Sequence, residues 1–366
     1  MRSGELRKAL LGLVLAACAW VAAPAFAESA LPPVHEADFT LWNFHYHSGE
    51  ALPVLKLHYR TLGTPRRDAN GRIVNMVMIL HGTGGDGTTF LRPIFAGELF
   101  GPGQPLDASR YFIVLPDAIG HGGSSKPSNG LRMKFPRYDY ADMVEADHRL
   151  ATDGLGAGRI RLVLGTSMGC MTAFAWGEAY PDDAVALAPF ACLPTALVGR
   201  NRLWRRMLIE GIEADPAWNG GDYAAEPQAG LRTASDLLTI AGSAPLVMQK
   251  ALPTPEAVDK SLADRTAADL AHLDANDLIY QVDASRDYDP SKGLESITAP
   301  VLWINSADDF INPPELGIAE AMAPRLKRGR FILLPIGENT HGHGTHTWAV
   351  AWKDQLARFL AETEGK

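Results

Sequence analysis

The sequence predicts an α/β fold in which helices flank a mostly parallel central sheet and a helical cap is inserted late in the chain. Short, continuously apolar runs alternate with segments whose apolar residues recur at helical spacing, as in sheets covered on both faces. Between residues 193 and 297 this alternation stops, and helix-like segments without a convincing buried strand replace it. The chain has 366 residues and is 46% hydrophobic, which is enough for a large core.

The predicted strands begin with a hairpin at an edge of the sheet. Residues 39–46 and 52–59 are rich in β-forming residues, and Ser-Gly-Glu at residues 48–50 separates them. Continuous apolar runs then predict buried strands at residues 75–80, 111–115, 161–164, 184–190, 301–304 and 331–334. Helical spacing predicts helices at residues 140–155, 168–180, 314–322 and 348–360.

These elements divide the chain into four parts. A leader at residues 1–27 precedes a core formed by residues 28–192 and 298–366, and residues 193–297 form the cap. Functional loops in a parallel sheet lie at the carboxyl ends of the strands. We therefore expect the cap to cover that edge, where its Trp, Leu, Ile and Met side chains would shape a pocket.

The leader has the pattern of a secretory signal peptide. It opens with basic residues, continues with an apolar stretch at residues 9–23 and ends in Ala-Phe-Ala at residues 25–27, which forms a cleavage site. The apolar stretch stops at Pro24 and is shorter than the roughly 20 residues of a spanning helix. We expect cleavage after Ala27, no stable membrane span, and a periplasmic or secreted protein.

A second interpretation of the leader is a lipoprotein signal. Leu-Ala-Ala-Cys at residues 15–18 resembles a lipoprotein processing box, and a lipid on Cys18 would tether the protein to a membrane surface. Simple secretion is favoured, because apolar residues continue past Cys18 and the later cleavage site is well formed.

Composition bears on partners and on redox state. The net charge is -8, the pI is near 5.8, and no basic run occurs outside the N-terminus, so we expect no nucleic-acid partner.

After cleavage of the leader, only Cys170 and Cys192 remain. An oxidising compartment would permit a disulfide between them, but we expect two buried free thiols.

A candidate nucleophile stands between a predicted strand and a predicted helix. Gly-Thr-Ser-Met-Gly at residues 165–169 has the G-x-S-x-G pattern of a nucleophile elbow in the required context. Side chains at the two glycines would clash with neighbouring backbone, and the sharp turn would push the Ser167 hydroxyl into the pocket. The alternative is a serine that caps a helix next to incidental glycines. The strand, the helix and the partners downstream favour the nucleophile.

A serine nucleophile needs a base and an acid that orients the base. Asp308 and Asp309 follow a predicted strand, and Asp309 lies four residues ahead of Pro313, close to the start of the next helix, so the spacing favours Asp309 as the acid. We expect Asp308 to be solvated or bound to loop N–H groups.

Three histidines follow the last predicted strand. His343 lies between two glycines and is the first candidate for the base; His341 is the second, and we assign His346 to the start of a helix. Three such nitrogens could also hold a metal ion. No carboxylate or cysteine completes a familiar metal-site spacing, however, so we expect neither a metal nor a cofactor.

Backbone N–H groups should stabilise the oxyanion that develops during acyl transfer. We assign these groups to Met168, directly after the nucleophile, and to Thr83, in the loop after the strand at residues 75–80. We expect His81 to have a structural role. The loop at residues 117–125 is either a further lining of the site or a glycine-rich turn.

The mature chain resembles the homoserine O-acetyltransferase branch of the α/β-hydrolase superfamily. Motifs in that family's order continue well beyond the elbow: Phe135-Pro136, Asp142-Met143-Val144, Ala175-Trp176, Tyr180-Pro181-Asp182, Asp215-Pro216, Trp218, Gly221-Asp222-Tyr223, Pro227, Gly230-Leu231, Asp274-Ala275-Asn276 and Ala299-Pro300-Val301-Leu302. The resemblance implies an α/β-hydrolase fold with a triad of Ser167, Asp309 and His343. It also implies a homodimer that forms through the cap.

The chain departs from that family at informative places. The acetyltransferases have Gly-His-Asp at the catalytic histidine, where the Asp helps to hold the amino acid substrate, and here that residue is Gly344. They also have glycines where this elbow has Thr166 and Cys170, and an exported enzyme would lack cytosolic acetyl-CoA. These departures favour an exported, esterase-like serine hydrolase acting on a small acyl or ester substrate. The alternatives are an acetyl-CoA-dependent O-acyltransferase and an inactive binding module.

The cap contains three arginines that could hold an acidic substrate. Arg202, Arg205 and Arg206 lie close together in one predicted helix. Because surface arginines are the commoner case, we expect all three on a solvated helix face.

Overall fold

The computed structural model describes residues 31–364, so the predicted signal peptide and Cys18 lie outside the described residues. A sheet of eight strands, in the order β1-β2-β4-β3-β5-β6-β7-β8, spans the described chain. The strands are β1 (His35–His45), β2 (Ala51–Leu62), β3 (Met76–Leu80), β4 (Phe112–Pro116), β5 (Leu162–Thr166), β6 (Leu187–Phe190), β7 (Val301–Ser306) and β8 (Gly329–Leu334).

Most neighbouring strands in this sheet are parallel. Only β1 with β2 and β2 with β4 pair antiparallel among the described strands, and the other five pairs are parallel. The predicted mostly parallel sheet is therefore confirmed. The predicted hairpin is also present, although both of its strands are longer than predicted.

The helices of the described residues either cover the two faces of the sheet or form the cap. They are α1 (Ala96–Leu99), α2 (Tyr140–Arg149), α3 (Met168–Ala179), α4 (Gly199–Glu213), α5 (Gln228–Gly242), α6 (Pro245–Ala251), α7 (Pro255–Leu270), α8 (Ala275–Asp283), α9 (Ile318–Met322) and α10 (Lys353–Glu362). In β3, Met78 faces the core cluster that α2 and α3 complete, whereas Ile79 faces the cluster that α1 and α10 complete. This two-sided burial explains the continuous apolar runs.

Two predicted helices are interrupted, and the helix predicted at residues 348–360 begins only at Lys353, after a 3-10 turn at Ala349–Ala351. The helix predicted at residues 314–322 is broken at Gly317, whose φ of 64° is left-handed, so that a 3-10 turn precedes α9. The helix predicted at residues 140–155 ends at Arg149 and continues as a π-helical turn over Leu150–Gly154. Such 3-10 and π-helical turns span only a few residues, too few for an apolar pattern to distinguish them from an α-helix.

The segment between β6 and β7 folds as a helical cap. Helices α4 to α8 lie there, and part of the cap packs around a hydrophobic cluster of its own that includes Trp204, Leu208, Leu231 and Leu278. Among the helices of residues 31–364, none is long and apolar enough to cross a membrane.

A disulfide joins Cys170 in α3 to Cys192, which follows β6. The expectation of two free thiols was wrong. The helix after the nucleophile packs against β6, which brings the two Cα atoms to 5.8 Å, within the usual range for a disulfide.

Candidate active site

The elbow forms where β5 ends and α3 begins. Ser167 has φ 56° and ψ -109°, a conformation that costs energy for any residue with a side chain. A Cβ atom on Gly165 would lie 1.8 Å from the carbonyl oxygen of Gly169, and one on Gly169 would lie 2.0 Å from that of Leu80. Both glycines are therefore required by close backbone contact.

The three predicted triad residues form one chain of hydrogen bonds. The Ser167 hydroxyl lies 2.8 Å from Nε2 of His343. Nδ1 of the same imidazole lies 2.9 Å from Oδ2 of Asp309. With the proton on Nδ1, His343 donates to Asp309 and can accept the serine proton at Nε2, which is the geometry of a general base with its orienting acid.

Asp309 is held as an ionised carboxylate. Its Oδ1 accepts hydrogen bonds from the N–H groups of Ile311 at 2.7 Å and Asn312 at 3.2 Å, and the Asn312 side chain donates to Oδ2 at 3.0 Å. Burial acts to raise the pKa of Asp309, but the His343 imidazole and these donors outweigh it and hold the pKa below its ordinary value.

Asp308 has hydrogen-bond partners that differ from those of Asp309. Its Oδ2 accepts the N–H of Gly342 at 2.9 Å, and its Oδ1 accepts the Ser306 hydroxyl. It therefore anchors the loop that carries His343, as expected for a carboxylate bound to loop N–H groups.

The other two histidines of that loop face other partners. His341 stacks on Trp348 with ring centroids 3.7 Å apart. His346 is half-buried beside His343 in a 3-10 turn, and desolvation lowers its pKa to about 3. The three imidazoles do not converge on one point. Among residues 31–364, the cluster with metal-ligand spacing is His47 with Asp139 and Asp142, where the carboxylates cap α2.

The loop after β3 lies against the nucleophile. A Cβ atom on Gly82 would lie 3.2 Å from the Cβ of Ser167. Thr83 lines the same cavity as Ser167, and Met168 is the first residue of α3, where N–H groups have no partner within the helix. Both predicted oxyanion donors thus border the serine, and their role stays a prediction.

The neutral imidazole of His81 holds the loop after β3 in place through hydrogen bonds. Its Nδ1 lies 2.9 Å from the carbonyl oxygen of Gly82, and its Nε2 accepts the N–H of Ala118 at 3.0 Å. Burial lowers the pKa of His81, which keeps it uncharged. Its own carbonyl accepts the N–H of Gly169 at 2.9 Å, which ties the loop to the elbow.

The loop at residues 117–125 is held together by hydrogen bonds to a buried aspartate. Asp117 is fully buried and accepts hydrogen bonds from Arg60, Gly87 and Gly123, each at 2.8 Å. No residue of this loop borders the cavity over Ser167 within the described part of the chain, so the structure favours the glycine-rich turn.

The cap covers an open cavity of about 320 Å³ over Ser167 and His343. Helices α4, α5, α7 and α8 contribute to its wall: Trp204, Arg205, Leu238, Ala241, Gly242, Arg265, Asp269 and Leu278. Arg205 is only 3% exposed, so the expectation that all three cap arginines are solvated was wrong. Its spacing from Leu208, Ile209 and Ile212 places it on the apolar stripe of α4. This spacing is visible in the sequence and could have predicted the burial of Arg205.

The sequence profile described as alpha/beta hydrolase fold matches residues 75–331. The chain belongs to this family, and within it to the branch that resembles the homoserine O-acetyltransferases. The predicted resemblance and fold class are therefore confirmed.

Two relatives illustrate this branch. A probable acyltransferase of Methanothermobacter thermautotrophicus is 32% identical over 296 residues, which cover 81% of this chain and 89% of that protein. A homoserine O-acetyltransferase of Haloferax volcanii is 29% identical over 352 residues, covering 81% of this chain and 82% of that protein.

Solved structures show the same fold at lower identity. An acetylester hydrolase from Corynebacterium glutamicum is 24% identical, with a TM-score of 0.76 over 90% of this chain and 95% of that one. A homoserine O-acetyltransferase from Bacillus anthracis is 20% identical, with a TM-score of 0.78 over 89% of this chain and 97% of that one.

Proposed function

We propose that this protein is an exported serine hydrolase that cleaves a small ester through an acyl-enzyme. The observation that carries the proposal is the hydrogen-bonded chain from Ser167 through His343 to the buried carboxylate of Asp309. A serine hydroxyl becomes nucleophilic when a base in this position removes its proton.

The proposed reaction has two halves. Oγ of Ser167 attacks the ester carbonyl while Nε2 of His343 takes its proton, and the oxyanion is stabilised by the N–H groups of Thr83 and Met168. His343 then donates the proton to the departing alcohol, which leaves an acyl-serine. A water molecule repeats the sequence, and its attack releases the acid and restores the serine. Asp309 remains ionised and stabilises the imidazolium in both halves.

The choice of water as acceptor rests on the residue after His343. The acetyltransferases have an aspartate there that helps to hold the amino acid substrate, whereas this chain has Gly344. A glycine supplies no carboxylate beside the base. When no alcohol is held close to an acyl-enzyme, water can attack the acyl group instead.

Acyl transfer is a second candidate, and the relatives favour it. The relative that is 32% identical is named a probable acyltransferase, and others are named homoserine O-acetyltransferases. Solved structures with this fold include both an acetylester hydrolase and a homoserine O-acetyltransferase. The same acyl-enzyme serves either reaction, and only the acceptor differs.

Export is proposed from the leader sequence. The disulfide between Cys170 and Cys192 supports it, because disulfides persist in oxidising compartments and are rare in the cytosol. A lipid anchor at Cys18 is the alternative route to the same compartment.

The test uses protein that begins at Glu28. Release of p-nitrophenol from p-nitrophenyl acetate is followed for the wild type, for Ser167→Ala and for Ser109→Ala, an exposed serine that serves as control. We expect Ser167→Ala alone to lose at least about a thousandfold in kcat. A parallel assay offers acetyl-CoA with homoserine. Release of CoA that needs both Ser167 and homoserine, without ester cleavage, would establish transfer instead.

A further inference from the structure

Arg205 is a buried cation that the protein does not pair with an anion. Its Nε donates to Oδ1 of Asn201 at 3.0 Å, and its Nη1 donates to the Ser285 hydroxyl at 3.2 Å. Both acceptors are neutral. Within residues 31–364, no carboxylate lies at ion-pair distance from its guanidinium. The adjacent Arg206, by contrast, reaches Glu210 at 3.0 Å on the exposed face of the helix.

An unpaired charge at such depth is costly. Burial lowers the pKa of Arg205, yet a guanidinium keeps its proton in proteins. Buried charges are as a rule paired, because taking an ion out of water costs several kcal/mol unless an opposite charge compensates it. The arginine on the apolar stripe of α4 therefore lacks an expected anion.

Arg205 borders the same cavity as Ser167 and His343. Its guanidinium lies over the Trp204 ring, 4.7 Å from the centroid, which restricts its orientation. A guanidinium has five N–H donors; Asn201 and Ser285 accept from two of them, and the Tyr140 hydroxyl lies within reach of a third. The remaining donors can bind a planar anion in the bidentate manner that arginine favours.

Two hydroxyls near the guanidinium also lack partners. The Tyr140 hydroxyl lies beside Ser285, Arg205 and Thr83, but within residues 31–364 neither it nor the Thr83 hydroxyl forms a hydrogen bond of good geometry. Buried polar groups are rarely left unpaired, so such groups point to a ligand or water that would complete them. Both hydroxyls are able to donate to an anion bound at Arg205.

The other charged groups of the cavity are paired with each other. Asp269 accepts hydrogen bonds from Arg265 at 3.1 Å and from the Ser235 hydroxyl at 2.6 Å. Asp309, which does not line this cavity, is held by His343 and its own loop. Arg205 is thus the uncompensated charge among the described cavity residues, and its sign selects for an anionic ligand.

We infer that Arg205 binds a carboxylate group of the substrate, so that the cavity selects small esters that carry a carboxylate in the same molecule. The inference rests on the proposed function, because it names the substrate class of the Ser167 site. The negative charge would come from the substrate rather than from the protein. An apolar substrate would leave the guanidinium buried and unpaired, and this penalty would work against it.

The experiment compares two matched esters, 4-acetoxybutanoate and its neutral amide. We expect the wild type to have a kcat/KM at least about tenfold higher for the carboxylate. In Arg205→Gln this preference should fall to near one, and in Arg205→Lys, which keeps the charge but loses the planar fork, it should be intermediate. The matched control Arg206→Gln should keep the full preference.

A binding measurement tests the anion site independently of ester hydrolysis. Butanoate is titrated by calorimetry into Ser167→Ala and into the double variant that also carries Arg205→Gln. Binding that requires Arg205 supports the anion site even if no ester is cleaved, in which case only the proposed hydrolysis fails. Equal cleavage of both esters by the wild type would overturn the inference and leave the hydrolase standing. If Arg205→Gln does not fold, the wild-type preference and the Arg205→Lys variant decide.

Discussion

At the scale of single residues, two neighbouring aspartates have different tasks because of what their oxygens reach. Asp309 accepts from His343, whereas Asp308 accepts from the N–H of Gly342 in the loop that carries this histidine. Motif spacing favoured Asp309, and the structure brings it, rather than Asp308, to the imidazole. Which of the two carboxylates meets His343 depends on the loop after β7, which carries both aspartates, and on the loop after β8, which carries the histidine.

The pair provides a matched mutational test. Asp309→Asn should lower kcat for p-nitrophenyl acetate by roughly 10³- to 10⁴-fold, because an amide cannot hold the histidine in the required tautomer. Asp308→Asn should cost much less, since it weakens a loop anchor while the triad stays intact. Steady-state kinetics near pH 7 measures both variants. A larger loss in Asp308→Asn would show that the two roles are reversed.

At the scale of elements, α2 carries a buried acid on the face that packs near the oxyanion loop. Asp147 is only 4% exposed, and burial, with a smaller contribution from Asp117, raises its pKa to about 8. It borders a small internal cavity together with His81 and Met168. A neutral carboxylic acid is thus part of the packing beneath the site.

This acid makes folding stability depend on pH. Its pKa is higher in the folded than in the unfolded chain, where it is near 3.9, so the stability it contributes is full below about pH 4 and is lost as pH rises through about 8. We expect Asp147→Asn to raise Tm by a few degrees at pH 8 and above, with little change at pH 4. Thermal unfolding monitored by circular dichroism at several pH values measures this.

The control for that prediction lies in the π-helical turn that follows α2. The side chain of Asp153 is 61% exposed and pairs with Arg149 at the surface. Asp153→Asn should therefore leave the pH dependence of Tm unchanged. An Asp147→Asn protein whose Tm still falls with pH as the wild type does would place the titrating group elsewhere.

At the scale of the whole molecule, the disulfide ties the nucleophile helix to the strand beside it. It joins Cys170 to Cys192, which are 22 residues apart in sequence. A cross-link of this span removes conformational freedom from the unfolded chain and contributes about 3 kcal/mol in the chain-entropy treatment. The N–H of Ser167, which precedes α3, donates to the carbonyl oxygen of Phe190 in β6 at 2.9 Å, so the position of the nucleophile depends on both elements.

We expect the double variant Cys170→Ala with Cys192→Ala to be less stable by about 2–4 kcal/mol in urea unfolding. The wild type treated with a reductant should show a similar loss, and the double variant should not respond to reductant at all. Mass spectrometry under non-reducing conditions checks the bond directly. Two free thiols in protein purified from an oxidising compartment would contradict the structure.

Local sequence patterns predicted much of the structure of this protein. Apolar runs at residues 75–80 and 161–164 predicted strands, because burial on both faces demands continuous apolar side chains. The Gly-Thr-Ser-Met-Gly sequence predicted a strained turn, because only glycine permits the close backbone contacts found at Gly165 and Gly169. The motifs between Phe135 and Leu302 predicted the family. Each of these inferences depends on neighbours in sequence, where the chain itself limits the geometry.

The sequence by itself determined the family, the order of strands and helices, and the identity of the candidate triad residues. Tertiary structure alone decided that Ser167 and His343, which are 176 residues apart, lie within hydrogen-bond distance, and that Cys170 bonds to Cys192. It also decided that Arg205 is buried and that no carboxylate of residues 31–364 lies at ion-pair distance from it. The physical reason is that burial and proximity depend on which distant elements pack together, and packing is a property of the whole chain.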